Sequence, residues 1–350
     1  MRRYRCYVSR AQRYLLVMPF LNEANHLGAV LASIAAQRFE RCPFTLIAVD
    51  DGSTDDGRDI VRRFLASGHV GGRLVTAGSR SIPAALNRGI EHAQPGDAIV
   101  RLDAHTLYGA GYLAAIDAAF ERLPDGVWCV GAAPAPHRHR TFGLAVHAAL
   151  FRNPMGLGPA PFRMSEQSRD VDHVYLGAWR PGVLQKLGGY DEHWVANEDC
   201  ELSARLREAG GRIVRIALPS RLILTRGPVS AVRQWGRYGY WRGRTVRRHP
   251  RVANPRHLAP TVALLAAIAL LCSPARLACV PLALAYLAAV VRGRSGGEPA
   301  AVTAACLAFF PAVQAAYGAG FLLGVTRRTP PPFVSRLGRA DGSRALRTAN

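Results

Sequence analysis

Apolar runs of strand length alternate with helical patterns through the first hundred residues, and this alternation confines the chain to an α/β architecture. Tyr14-Leu15-Leu16-Val17-Met18 stops at Pro19, after which Leu27, Val30, Leu31 and Ile34 recur with a 3.6-residue period. Phe44 to Val49 is followed by Ile60, Val61, Phe64 and Leu65 on a second helical face, with Ser53 to Asp56 as its N-terminus. Arg73 to Ala77 leads to a helix that opens near Pro83 and carries Leu86 and Ile90. Ala98 to Leu102 is a fourth strand. Strands joined through helices form a mainly parallel sheet, and such sheets bind ligands at the carboxyl ends of their strands. Three polar clusters fall at those ends: Pro19 to Glu23, Asp50 to Ser53 and Asp103 to His105.

Asp103-Ala104-His105 is the most pointed of the three. Positions i and i+2 at a strand end project the same way, so a carboxylate and an imidazole can reach one hard cation. The competing reading is a capping Asp beside a surface His, and each of the other clusters has the same alternative reading as a helix cap. A nucleotide-binding sheet accounts for all three together.

The pattern continues with a helix from Gly111 to Arg122 and a strand from Val127 to Gly131. Between Pro134 and Arg169 lie the basic run His137-Arg138-His139-Arg140 and the Gly/Pro-rich stretch Asn153 to Pro159, a lid or a solvated loop. Val174 to Trp179 reads as a short strand, and Gly188-Gly189-Tyr190-Asp191 as a turn. Asn197-Glu198-Asp199-Cys200-Glu201 opens a helix through Leu202, Leu206 and Ala209. Acids there suit the helix dipole, or one of them is a general base at a pocket rim.

The net charge is +21, almost wholly from Arg, which calls for an anionic partner. Nine Arg and no acid lie between Arg226 and Arg256, interleaved with Trp235, Tyr238, Tyr240 and Trp241. Such mixtures occur in nucleic-acid binders. The following sequence argues otherwise: Leu258 to Ser273 and Leu277 to Val291 are apolar runs joined through Ser273-Pro274-Ala275-Arg276, and Ala300 to Val325 is uncharged over 26 residues. An Arg-rich flank before a span is what a cytoplasmic face carries, so the expectation is a membrane partner and no nucleic acid. Met1 to Arg13 is basic without an apolar h-region and is not a signal peptide. The seven Cys show no C-x-x-C spacing and read as buried thiols of a reducing compartment.

These pieces resemble the inverting GT-A glycosyltransferases of family 2, and within it the membrane-attached exopolysaccharide enzymes of the succinoglycan ExoA type. The resemblance rests on Pro19-Phe20-Leu21-Asn22-Glu23, Val49-Asp50-Asp51-Gly52-Ser53-Thr54-Asp55, Arg101-Leu102-Asp103-Ala104-His105, Gly177-Ala178-Trp179 with Gly188 to Asp191, Asn197 to Glu201, and Gln234 to Arg242, in family order. It implies a nucleotide-sugar-binding, Rossmann-like GT-A domain followed by C-terminal transmembrane helices. It implies a donor site of Pro19, Asn22, Glu23, Asp50, Asp51, Arg80 and Asp103, with Pro19, Glu23 and Asp51 on the uridine and ribose. Asp103 stands for the first Asp of the family's metal motif and His105 for the second, holding Mn²⁺ or Mg²⁺. Imidazole suits Mn²⁺ better than Mg²⁺. Asp199, with Glu198 beside it, matches the catalytic base, and Arg237 or Arg242 adds positive charge near the leaving diphosphate. Tyr238 follows Arg237 where processive synthases carry Trp, which favours one sugar per encounter.

The resulting expectation is a cytoplasmic glycosyltransferase domain (1–225), a basic and aromatic interface segment (226–257), two or three transmembrane or re-entrant helices (258–326) and a polar tail (327–350). The protein would sit in the inner membrane as a multi-pass enzyme. It would move a sugar such as glucose from UDP, with inversion, to a saccharide linked to a polyprenyl diphosphate. Alternatives are transfer to a polyprenyl monophosphate, or a non-catalytic nucleotide-sugar-binding scaffold.

Overall fold

A computed structural model describes residues 10–132, 135–136, 141–153, 168–294 and 296–327. The basic run His137 to Arg140, most of the Gly/Pro-rich stretch after Asn153 and the polar tail lie outside the described residues.

The first half is built as the alternation predicts. Strands β1 (Arg13–Phe20), β2 (Phe44–Asp50), β3 (Gly72–Thr76) and β4 (Asp97–Arg101) are joined by α1 (Ala24–Ala35), α2 (Gly57–Ala66) and α3 (Ile82–Ile90). They pair in parallel, in the order β3-β2-β1-β4. Then come β5 (Thr106–Tyr108), α4 (Tyr112–Arg122), β6 (Val127–Ala132), β7 (Ala135–Pro136) and α5 (Phe142–Arg152). The chain continues through β8 (Arg169–Asp170), β9 (Leu176–Trp179), α6 (Val183–Leu187), α7 (Glu198–Glu208), β10 (Arg212–Arg215) and β11 (Ser220–Leu222).

The short run ending at Trp179 has a larger part than its length suggests. As β9 it enters the middle of the sheet, antiparallel to both β4 and β6, with Trp179 opposite Ile99 and Cys129. It completes an eight-stranded sheet, β3-β2-β1-β4-β9-β6-β10-β8.

The central strands are apolar on both faces because helices cover both. Leu16 and Met18 of β1 pack with Leu27, Val30 and Leu31 of α1 and Ile116 of α4. Their neighbours Leu15 and Val17 face the other way, onto Leu86 of α3 and Leu202 and Leu206 of α7. The sheet is thus held rigid between two cores, and its carboxyl edge carries the polar clusters.

The Arg- and aromatic-rich belt is largely one helix, α8 (Pro228–Arg248), begun by a proline in its first turn. Beyond it lie α9 (Ala259–Leu271), α10 (Cys279–Arg292) and α11 (Ala300–Thr326). Helix α11 crosses α8 at backbone contact: a Cβ on Gly239 would stand 2.1 Å from the Tyr317 carbonyl, and one on Gly320 2.1 Å from that of Gly236. Among the described residues two segments are long and apolar enough to cross a membrane, Pro274–Arg292 and Ala300–Thr326. The apolar stretch before Ser273 is helical over a shorter length. Helices α9 and α10 leave Val262, Leu265, Ile268, Leu271, Val280 and Leu282 exposed.

Candidate active site

The Pro19 to Glu23 turn and the Asp50 to Asp55 turn are latched together. Asn22, in the left-handed region at φ 57°, accepts through Oδ1 from the Thr54 amide at 2.8 Å, while its own amide donates to Ser53 Oγ at 3.1 Å. Asp55 Oδ2 accepts from the Ala24 amide at 2.8 Å, satisfying an orphan donor of α1 from outside the helix. Asp50 is fully enclosed and accepts from the Ser53 amide at 2.9 Å and Arg58 Nη1 at 3.0 Å, so it shapes the turn. Asp51 Oδ1 accepts from Ser79 Oγ and from the Arg80 amide, both at 2.8 Å. That contact folds the Arg80 segment, itself left-handed at φ 52°, over the Asp51 turn.

The end of β4 carries the charge. Asp103 is buried, and its amide donates to Tyr108 Oη at 2.7 Å. His105 Nδ1 lies 3.3 Å from Glu23 Oε1, which joins the first and third polar clusters. Burial pushes the Asp103 carboxyl up, but Arg101, His105 and a hydrogen bond from Tyr175 outweigh it and hold the group below its ordinary range. Burial opposes a charge on His105, yet Glu23 and Asp103 raise the imidazole above its ordinary value.

Arg101 ties this edge to α7. Its Nη1 donates to Glu198 Oε1 at 2.8 Å and its Nε to Asp103 Oδ1 at 3.3 Å. Glu198 is pushed up by burial and by Asp199, with Arg101 acting against both. Asp199 is half-buried in the same first turn. The turn is held by Asn197, left-handed at φ 55°, whose Nδ2 donates to the Tyr238 carbonyl of α8 at 2.7 Å. Arg237 is half-buried, and its Nε has no hydrogen-bond partner among the described residues. Burial lowers its guanidinium from the ordinary value, and Glu198 acts in the opposite sense.

Arg242 stands elsewhere. Its Nη2 donates to Cys200 Sγ at 2.7 Å and lies 3.5 Å from His173 Nε2. It lines a small cavity behind α7 with Asp172, His249 and His257, so it braces that helix from behind. Pro19, Asn22, Glu23, Asp51, Arg80, Asp103, His105 and the Glu198-Asp199 turn are therefore brought to one sheet edge, whereas Asp50 and Arg242 support it from within. Arg101 and Tyr175 were not singled out in the sequence. An Arg closing a strand and a Tyr just before another gain meaning only when Glu198, 97 positions from Arg101, comes into reach.

No three His, Cys, Asp or Glu side chains converge as a metal cluster among the described residues. Asp103 with its carboxylate and His105 with its imidazole would supply two ligands to a cation that takes its others from a diphosphate and water.

The family model for Glycosyl transferase family 2 matches residues 15–158. The chain is 30% identical to the succinoglycan biosynthesis protein ExoA of Rhizobium meliloti over 302 residues, 84% of each chain. It is 28% identical to the O-antigen chain rhamnosyltransferase WbaN of Salmonella anatum over 192 residues, 52% of this chain and 57% of that one. Its fold matches the mannosyltransferase PcManGT of Pyrobaculum calidifontis, solved with GDP-Man and Mn²⁺, at TM-score 0.58 and 19% identity, covering 92% of this chain and 89% of that one. The chain belongs to glycosyltransferase family 2 and has its GT-A fold.

Proposed function

We propose that the protein transfers a sugar from a nucleotide sugar, with inversion, to a hydroxyl of a saccharide carried on a polyprenyl diphosphate at the inner membrane. The observation that carries the reading is the gathering of a diphosphate-ready edge (Glu23, Asp51, Asp103, His105) and a carboxylate pair (Glu198, Asp199) around one sheet end. The nucleoside is held between the Pro19 turn and Asp51, with the Arg80 segment closing over it. Asp103 and His105 hold Mn²⁺ or Mg²⁺, which when bound supplies positive charge for the leaving diphosphate. Arg237 offers a further donor from α8. The acceptor hydroxyl has a pKa far above neutrality, so Asp199 takes its proton as the bond to the anomeric carbon forms. One displacement from the face opposite the diphosphate inverts that carbon.

The acceptor side follows from α8 and the apolar helices after it. Exposed Arg233, Arg247 and Arg248 lie on α8, suited to anionic headgroups and a lipid diphosphate. The Arg237-Tyr238 pair favours addition of a single sugar. The names of the succinoglycan and O-antigen relatives support a role in envelope glycan assembly. The test compares a lipid-diphosphate-linked acceptor with the same free sugar in detergent. The lipid-linked form should be used far more efficiently, and equal use would count against the proposal.

A further inference from the structure

The buried charge at the end of β4 is arranged as a strut. Arg101 is the last residue of β4, paired in register with Val17 of β1 and only 5% exposed. Its guanidinium reaches in two directions: Nε to Asp103 at 3.3 Å on the donor side, and Nη1 to Glu198 at 2.8 Å on the base side. The Tyr175 ring lies beneath it, 5.9 Å from Cζ to centroid. Glu198 is the first residue of α7, and Asp199, the proposed base, is the second. Arg101 thus hydrogen-bonds both the β4 end and the first turn of α7.

The geometry points to Arg101 as a positioning residue that sets the distance between the Asp103 edge, where the donor diphosphate binds, and the Asp199 carboxylate, where the acceptor loses its proton. The inference rests on the glycosyl-transfer reading and assigns Glu198 the part of anchor, leaving the proton to Asp199. The logic is electrostatic and geometric. A fork of N–H donors can hold two carboxylates at once in a fixed plane, which a lysine cannot. Both acids are buried, so neither is free to swing while the other stays. A small displacement of α7 relative to Asp103 would leave donor binding intact and spoil the line of attack. Such misplacements cost about 100-fold in rate.

The experiment uses the full chain in detergent, as wild type, Arg101→Lys, Arg101→Met, Glu198→Gln and the double variant Arg101→Met/Glu198→Gln. Two quantities are read: the Kd of UDP with Mn²⁺ by calorimetry, and kcat on whichever UDP- or GDP-sugar the wild type consumes. The strut predicts a kcat loss of about 100-fold for Arg101→Met and about tenfold for Arg101→Lys, with Kd held within about threefold. The double variant should be no slower than Arg101→Met, because the two residues act through one contact. Losses that multiply in the double variant, or a Kd that rises in step while kcat holds, would overturn it. If Arg101→Met does not yield folded protein, the kcat-to-Kd split in Arg101→Lys decides alone. A wild type that consumes no nucleotide sugar fails the transfer reading, and this inference with it. A working wild type matched by both Arg101 variants fails only the strut.

Discussion

At the scale of single residues, the site depends on backbone positions that side chains rarely occupy. Asn22, Arg80 and Asn197 all have positive φ, and each sits in a turn that carries a proposed ligand or base. Conformations of this kind cost about 1–3 kcal/mol and persist only where surrounding bonds hold them, as Thr54, Asp51 and the Tyr238 carbonyl do here. His105 is the residue whose chemistry is most open to test. His105→Asp is expected to keep turnover and to move the preferred cation toward Mg²⁺, which favours oxygen ligands; His105→Ala should lose most of it. Turnover measured across a Mn²⁺ and Mg²⁺ titration checks this, and a wild-type cation profile in His105→Asp would contradict it. The three sheet-end clusters were legible because strand ends in an α/β sheet share one edge. Arg101 was not, because its meaning lies in partners brought together by β9, an antiparallel insertion that local pattern does not announce.

At the scale of elements, α8 and α11 form a single unit. Gly239 and Gly243 lie so close to Tyr317 and Phe321, and Gly320 and Gly324 so close to Gly236 and Tyr240, that a Cβ on any of the four would meet backbone. Gly320→Val should destabilise the protein by at least the about 1–3 kcal/mol typical of overpacking, since its Cβ would meet backbone. Gly28→Ala provides the contrast: nothing lies within 4 Å of its added Cβ, and in the α1 interior the change should stabilise by about 0.5–1 kcal/mol. Thermal unfolding in detergent reads both, and a neutral Gly320→Val would remove the close-packing account. The glycines were visible in the sequence, but their partner, some eighty residues on, was not.

The junction of α7 and α8 carries a titratable cluster. His249 Nδ1 lies 2.7 Å from Glu208 and Nε2 3.3 Å from Glu201. The hydrogen bond to Glu201 raises the imidazole, burial works against it, and Glu208 adds to the rise. A raised value means that the charged form is favoured by the fold. Its stabilising contribution is complete below an unfolded pKa of about 6.5 and is lost as pH climbs through the folded one. Wild type should therefore lose Tm relative to His249→Gln as pH rises above about 6.5, and parallel Tm curves would contradict the assignment.

At the scale of the whole molecule, a two-faced sheet presents the proposed donor edge on one side while α8, locked to α11, brings Tyr238 against the Asn197 turn that carries the proposed base. Helices α8 and α11 are thus joined to the turn that carries Asp199 through the Asn197–Tyr238 contact. The boundary between the sheet and the Arg-rich helix α8 was readable from the break in charge pattern near Arg226. The depth of their coupling was not, since helix crossings are set by shape. The central claim is that Asp199 removes the acceptor proton beside a donor held independently by the sheet edge. The most direct test is nucleotide-sugar turnover onto a lipid-linked acceptor by Asp199→Asn, with Mn²⁺-dependent UDP binding measured on the same preparation. Turnover should fall by about 10²–10⁴-fold while UDP binding stays at the wild-type value; turnover near the wild-type rate would contradict the account.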